Sequence, residues 1–273
     1  MRIALLQMTS GIDPAVNAAD LRHGIAAAAA NGAVMAFAPE MAGLVDRDRG
    51  RAAASIHAEA DDPVLASVRD AAARAGIWVQ LGSLAIQRED GRWANRSFVI
   101  DATGAIRARY DKMHLFDVDL PTGESWRESA AYAPGEAAIV ADTPVGATGL
   151  SICYDLRFPA LYAGLAAAGA QVLSIPAAFT RPTGSAHWHV LLRARAVETG
   201  CFVVAAAQAG AHEDGRLTYG HSLVVDPWGE VLLDMGDARG LGFAEIDPER
   251  VADVRSRIPV LSHRRTIPPI THV

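Results

Sequence analysis

The sequence predicts an α/β protein folded as a four-layer α-β-β-α sandwich with an internal pseudo-twofold duplication. Three correspondences, each in register, point to it. The stretch "GAVMAFAP" from Gly32 to Pro39 has the same length as "GAQVLSIP" from Gly169 to Pro176; "GIWV" from Gly76 answers "GCFV" from Gly200; and "SFVIDATGAI" from Ser97 answers "SLVVDPWGEV" from Ser222. Two generic motifs sharing only turn chemistry would not hold register at three separate places. Two copies are too few for a solenoid, whose units stack in series. Each copy is therefore expected to form one sheet, and the two sheets to pack face to face with helices outside.

The elements follow in chain order. "RIALLQ" is an apolar run of strand length starting at Arg2. Asp13-Pro14 then supplies an N-cap and a first-turn proline for a helix reaching about Asn31-Gly32, with Leu21 and Ile25 on one face. "AVMAFAP" is the second strand. Asp62-Pro63 opens a second helix with Val64, Leu65 and Val68 facing inward; Gly76 closes it, and "IWVQLGSLAI" follows as a strand. "NRSFVID" and "AIRARYD" form a hairpin about Ala102-Thr103-Gly104, which completes an order of five strands and two helices, β-α-β-α-β-β-β. The same order recurs from Gly149. The junction "GESWRESAAYAPGEAAIVADTPVGAT" is short, punctuated by glycine and proline, and holds a strand-like "AAIVAD". Residues 1–273 are thus expected to form a single domain, with a proline-rich arm, "IPVLSHRRTIPPITHV", from about residue 258.

A formal net charge of −6 with 21% charged residues describes an ordinary globular chain and argues against a nucleic-acid footprint. No apolar stretch is long enough to span a membrane, and the apolar part of "MRIALLQMTSGIDP" is too short for a signal peptide, so a cytoplasmic protein is expected. The two cysteines, Cys153 and Cys201, are too few for a disulfide framework, and their spacing fits no zinc pattern. Cys201 opens "CFVVAAA" and reads as a small core hydrophobe.

Open α/β sheets bind ligands beyond the carboxyl ends of their strands. Three residues fall at such ends: Glu40 after "AVMAFAP", Lys112 after the last strand of the first half, and Cys153 after "GLSI". The repeat pairs Glu40 with Ala177, so the shared fold does not itself require the carboxylate. Singly, each has an ordinary structural reading, the cysteine in a core and the two charged residues on a surface. Together they supply a nucleophile, a base to take its proton and a cation for an oxyanion. A cysteine on a strand-to-helix turn also gains free backbone N–H groups, here about Tyr154 and Asp155. A catalytic cysteine there is expected to alkylate quickly near neutral pH and to be protected by substrate, whereas a core cysteine would react only on unfolding. A competing Cys-His pairing would draw on His114, His187, His189 or His221. His187 and His189 stand two apart in "AHWHVLLRARAVE", point to different faces and make a poor metal pair, while His221 in "YGHS" is expected to hydrogen-bond a loop; no metal site is expected.

With these residues in view, the chain resembles the nitrilase superfamily of carbon–nitrogen hydrolases from residue 3 to about residue 265. The resemblance is carried by "FAPEM", "YDKMHLFDVDLP", "ICYDLRFPAL", "PAAFTRPTGSAHWHVLLRARAVE" and "YGHSLVVDPWGEV". It implies the same α-β-β-α sandwich, a Glu40-Lys112-Cys153 triad, a second glutamate at Glu128 within "ESAAYAPG", and an oxyanion held by Lys112 and the Tyr154 N–H. The implied reaction is hydrolysis of a small-molecule amide through a cysteine thioester, with no metal or organic cofactor. "AAAQAGAHEDGRLTYGHS" and "IPVLSHRR" place the chain nearest the branch that holds deaminated glutathione amidase and omega-amidase, on the side of the former. That activity yields 2-oxoglutarate and cysteinylglycine from deaminated glutathione; the alternatives are omega-amidase action on 2-oxoglutaramate-type amides, or a scaffold that kept the fold without turnover. Arg157, Phe179 and Thr180 are the candidates for substrate contact, Arg157 either to a carboxylate or as a brace for the cysteine turn through Asp155. His189 stands where many relatives carry a glutamate, which leaves the leaving-group side of the pocket open. The resemblance also implies a homodimer or higher homo-oligomer.

Overall fold

The computed structural model describes residues 1–119, 123 and 125–272. The first half supplies β1 (Arg2–Gln7), α1 (Pro14–Ala30), β2 (Met35–Phe37), a short α2 (Arg49–Ala53), α3 (Pro63–Ala75), β3 (Trp78–Gln87), β4 (Trp93–Ile100) and β5 (Ile106–Asp111). A small hairpin of β6 (Asp117–Asp119) and β7 (Ser125–Arg127) follows; Leu120 and Pro121, which end the "YDKMHLFDVDLP" stretch, lie outside the described residues. The second half supplies β8 (Val140–Thr143), β9 (Gly146–Leu150), α4 (Pro159–Ala167), β10 (Val172–Ser174), α5 (Arg181–Thr199), β11 (Phe202–Ala205), the hairpin β12 (Ala209–Ala211) and β13 (Leu217–Tyr219), then β14 (Leu223–Val225) and β15 (Val231–Asp234). Last come β16 (Gly240–Glu245) and α6 (Pro248–Arg257).

The duplication is visible in the sheets. One has the order β16-β1-β2-β3-β4-β5; the other, read in the matching direction, is β8-β9-β10-β11-β14-β15. The three strands after the edge are parallel in both, the last two antiparallel, and the edge strand runs antiparallel to its neighbour. The sequence pattern anticipated five strands per copy. The sixth comes from the junction in one sheet, as β8, and from the far end of the chain in the other, as β16.

Local chemistry explains the helix starts. Asp13 accepts from the Ala15 N–H at 2.8 Å and Asp62 from the Leu65 N–H at 2.7 Å, each just before a proline that has no N–H to lose. Gly76 ends α3 at φ 66°, a left-handed conformation open to glycine without penalty. Alternation then divides the first sheet between two cores. Ile3, Leu5, Met35 and Phe37 join the second sheet in the central layer, whereas Ala4, Leu6 and Ala36 pack with Leu21 and Ile25 of α1 and Val64, Leu65 and Val68 of α3. The strands are buried on both faces, which is why they read as continuous apolar runs.

One irregularity positions the site. The β3–β4 register shifts between Leu81 and Leu84, and inside that bulge Gly82 lies against the end of β2. A Cβ at Gly82 would sit 2.2 Å from the Ala38 carbonyl oxygen and 2.3 Å from that of Pro39. Ser83 completes the cradle: its N–H donates to Pro39 at 3.3 Å, and its hydroxyl accepts from the Met41 N–H at 2.9 Å. Gly82→Ala is therefore expected to displace the Pro39–Met41 turn, lowering stability by about 1–3 kcal/mol and, because Glu40 moves with the turn, lowering kcat by roughly 10²-fold. Thermal melts and steady-state rates on the same preparation check both effects.

Candidate active site

The ends of β2, β5 and β9 bring Glu40, Lys112 and Cys153 to one cavity of about 1010 Å³, and Glu128, Tyr154, Arg157, Phe179 and Thr180 line the same cavity. Every residue singled out from the sequence for the site thus reaches it. Two turns carry strain there. Met41, next to Glu40, has φ 53° and Cys153 has φ 49°, left-handed values that cost a side-chain-bearing residue on the order of 1–3 kcal/mol each. Cys153 is held in that conformation by its N–H, which donates to the Pro176 carbonyl at 2.8 Å.

Lys112 is 2% exposed, and its Nζ donates to Glu40 Oε1 at 2.9 Å and to Glu128 Oε2 at 2.9 Å. Asn95, which sequence reasoning missed, donates from Nδ2 to Glu40 Oε1 at 2.9 Å and to Glu128 Oε1 at 3.1 Å. The Ala178 N–H donates to Glu40 Oε2 at 2.9 Å, and the Phe116 N–H to Glu128 Oε2 at 2.6 Å. Asn95 sits within a strand whose inward positions are otherwise largely apolar, so a polar residue there was the only available signal.

The electrostatics follow from this packing. Burial alone would raise the Glu40 carboxyl, but the Lys112 charge and hydrogen bonds from Cys153, Lys112 and Asn95 outweigh it and hold Glu40 below its ordinary value. Burial alone would lower Lys112; Glu128 and Glu40 instead hold it well above the usual lysine range. Burial and then the Glu40 charge push the Cys153 thiol well up, with Lys112 offsetting part. Two carboxylates around one ammonium already leave the site net negative, so the resting sulfur keeps its proton, beside a carboxylate placed to accept it.

The backbone donors also differ from expectation. The Asp155 N–H donates to the Ile152 carbonyl at 3.0 Å and is not free, whereas the Tyr154 N–H has no partner among the described residues. Asp155 has another function. Fully buried, its carboxylate accepts from the Tyr110 hydroxyl at 2.7 Å, the Ile152 N–H at 2.9 Å and the His114 N–H at 3.0 Å, with His114 Nδ1 at 2.7 Å. It ties the Cys153 turn to the segment that follows Lys112. Arg157 makes no bond to Asp155, so the bracing alternative is not what the structure shows; among the described residues its guanidinium hydrogen-bonds only His187 Nδ1, at 3.3 and 3.4 Å, and it lies over the Phe179 and Tyr154 rings at 5.5 and 5.9 Å. The buried Arg195 braces the turn instead, donating to the Leu156 carbonyl at 2.9 and 3.1 Å.

No histidine lines the cavity among the described residues, which removes the Cys-His pairing. His114 serves Asp155. His189 lies outside the cavity wall, so its departure from the family pattern does not touch the leaving-group side directly. Its Nε2 meets Asp234 Oδ2 at 2.9 Å, and His221 Nδ1 meets Asp234 Oδ1 at 2.8 Å. These three side chains place potential ligand atoms within 4.8 Å of one another, a grouping the sequence pattern did not reveal; here each histidine is hydrogen-bonded to Asp234. Cys201 is fully buried, with its sulfur donating to the Ala170 carbonyl at 3.2 Å, as a core residue.

Comparison with known proteins agrees with this geometry. The carbon–nitrogen hydrolase family model matches residues 2–256. A deaminated glutathione amidase from Yersinia enterocolitica is 42% identical over 97% of this chain and 93% of its own length. The crystal structure of the Caenorhabditis elegans NitFhit protein superposes with a TM-score of 0.90 at 41% identity, covering 97% of this chain but only 65% of that longer one. A mutant of the amidase from Nesterenkonia sp. AN1, solved with acrylamide added at its active-site cysteine, superposes with a TM-score of 0.80 at 29% identity over 95% of this chain and 98% of that one.

Proposed function

Because the chain belongs to the carbon–nitrogen hydrolase family, we propose that it hydrolyses deaminated glutathione to 2-oxoglutarate and cysteinylglycine through a thioester on Cys153. The observation that carries the reaction is the buried Glu40-Lys112 pair, with Glu128 partly buried against it, beside the Cys153 thiol. The name borne by the 42% identical relative supports the substrate.

Cys153 attacks the amide carbon as Glu40 takes the thiol proton, so the charge on sulfur never has to exist at rest in a site that disfavours it. An ammonium has three donors. Two of those on Lys112 are engaged by Glu40 and Glu128, which leaves one for the developing oxyanion, opposite the free Tyr154 N–H. Glu40 then passes its proton to the departing amine, the amine of cysteinylglycine. The thioester remains until a water, deprotonated by Glu40, releases 2-oxoglutarate and returns the thiol. Glu128 holds Lys112 in place, and Arg157 takes the carboxylate of the 2-oxo acid, with Phe179 and Thr180 walling the acyl group. The residues derive the reaction without a metal or organic cofactor.

The same reading takes residues 1–273 as one catalytic domain, with the segment from about 258 as an arm. No helix among the described residues is long and apolar enough to cross a membrane. The two unpaired thiols support a reducing, cytoplasmic setting. Val190 and Val197, exposed two turns apart on α5, support self-association.

Mass-spectrometric product detection tests the reading. Purified protein is offered deaminated glutathione, 2-oxoglutaramate and a simple nitrile in parallel. The highest kcat/KM is expected for deaminated glutathione, with cysteinylglycine released. Preference for 2-oxoglutaramate would replace it with omega-amidase action, and no turnover of any of the three would leave a scaffold or an amidase of another substrate.

A further inference from the structure

We infer that Arg47, set beside Trp126 and Arg216 at the rim of the catalytic cavity, is an anion subsite for the terminal carboxylate of the leaving group. The inference rests on the substrate reading above and deepens it. Ligand cavities for molecules of drug size span ~300–1,000 Å³, and this one, at about 1010 Å³, is at the upper end. A five-carbon acid amide would leave much of it empty.

The wall carries several guanidiniums, and their partners separate them. Arg216 donates to Asp214 from Nε at 3.1 Å, with a second nitrogen at 2.9 Å from the same carboxylate oxygen. Arg127 is held by both oxygens of Asp119, and Arg49 by the Arg127 carbonyl. Two have no carboxylate or carbonyl oxygen within hydrogen-bond distance among the described residues. Arg157 has only the weak contact to His187. Arg47 makes no side-chain hydrogen bond among the described residues, and its nearest carboxylate, Asp214, is 3.9 Å away and already taken by Arg216. The acidic residues on either side of Arg47 in sequence are also engaged, Asp46 by Arg51 at 2.6 and 2.8 Å and Asp48 by the Arg51 N–H at 3.1 Å.

Trp126 fixes where that open charge sits. The Arg47 and Arg216 guanidiniums lie 5.7 and 5.0 Å from its ring centre, a stacking that orients a planar cation while leaving its edge donors free. The Trp126 indole N–H is buried without a partner among the described residues, a second donor on the same wall. One cavity with two open guanidiniums fits a substrate with two carboxylates. Deaminated glutathione has one on its 2-oxo acid end and one on its glycine end; 2-oxoglutaramate has only the first.

The test compares wild type, Arg47→Gln and Arg107→Gln on deaminated glutathione, its C-terminal glycinamide and 2-oxoglutaramate. Arg107 is exposed, lies outside the cavity and controls for lost net charge. Wild type is expected to prefer the free acid over the glycinamide by roughly tenfold in kcat/KM, the worth of one charge-assisted hydrogen bond. Arg47→Gln is expected to abolish that preference by raising KM for the acid, with kcat and the 2-oxoglutaramate reaction little changed. Arg107→Gln is expected to keep it. A preference that survives Arg47→Gln, or an equal loss on all three substrates, overturns the inference while the substrate reading stands. A wild type that ignores deaminated glutathione overturns that reading, and the inference with it, before any variant is compared.

Discussion

Replacing Cys153 by alanine is expected to lower kcat by at least ~10⁴-fold, since members of a nucleophilic unit are not replaced by their neighbours. The loss should come without unfolding. The side chain is small and 8% exposed, and the strained φ of 49° is no worse for alanine than for cysteine. Alanine also removes a thiol that burial and Glu40 both disfavour in its charged form. The melting temperature is therefore expected to change by only a few degrees, equivalent to about 1 kcal/mol or less. Cys201→Ala provides the contrast. It removes a fully buried sulfur contacted by Arg255 at 3.1 Å, so stability should fall while turnover per folded molecule persists. Rates normalised to circular dichroism amplitude separate the two. A Cys153→Ala enzyme retaining a tenth of the activity would remove the covalent mechanism.

The second large effect belongs to Lys112. Lys112→Met keeps most of the side-chain volume but leaves the buried Glu40 and the partly buried Glu128 facing each other without their common cation. Removing one partner of a buried ionic cluster costs about 3–5 kcal/mol, and losing an oxyanion donor costs kcat on the order of 10²–10³-fold. The pH dependence of stability distinguishes this explanation from a packing defect. In the wild type, Glu40 is held below its ordinary value, so its contribution is present above that value and is lost as pH falls through the depressed one. Without Lys112, burial dominates and raises it. The variant should then be least stable at neutral pH and recover relative to the wild type as pH falls into the carboxylate range. Urea midpoints measured across acid and neutral pH decide it; a pH-independent deficit would mean that packing, not charge, is responsible.

The legible parts of the protein were those written in local pattern. Asp-Pro helix starts, Gly76 at the end of α3 and the paired registers of the two copies are short-range signals, and they predicted the sandwich and the strand ends where Glu40, Lys112 and Cys153 come together. The β16 edge strand was not legible because its partner, β1, is at the other end of the chain. Nor was the bulge about Gly82, since a single glycine in a strand does not say whose backbone approaches it. The upward push on the Cys153 thiol depends on burial and on a carboxylate 113 positions earlier in the chain, so the motif alone does not carry it. Asp155 was read as a loose oxyanion neighbour, yet four atoms from three residues converge on its carboxylate. Arg47 lies in an irregular stretch between β2 and α2, where no periodicity marks a residue for attention.

The central claim is a common acyl-enzyme on Cys153, and partitioning to hydroxylamine tests it most directly. Deaminated glutathione and 2-oxoglutaramate share the 2-oxoglutaryl group and differ in what departs. If both pass through one thioester, the ratio of hydroxamate to 2-oxoglutarate at a fixed hydroxylamine concentration is the same from either amide, and Cys153→Ala forms neither product. A ratio that changes with the leaving group would place water or hydroxylamine directly at the amide carbon and contradict the thioester.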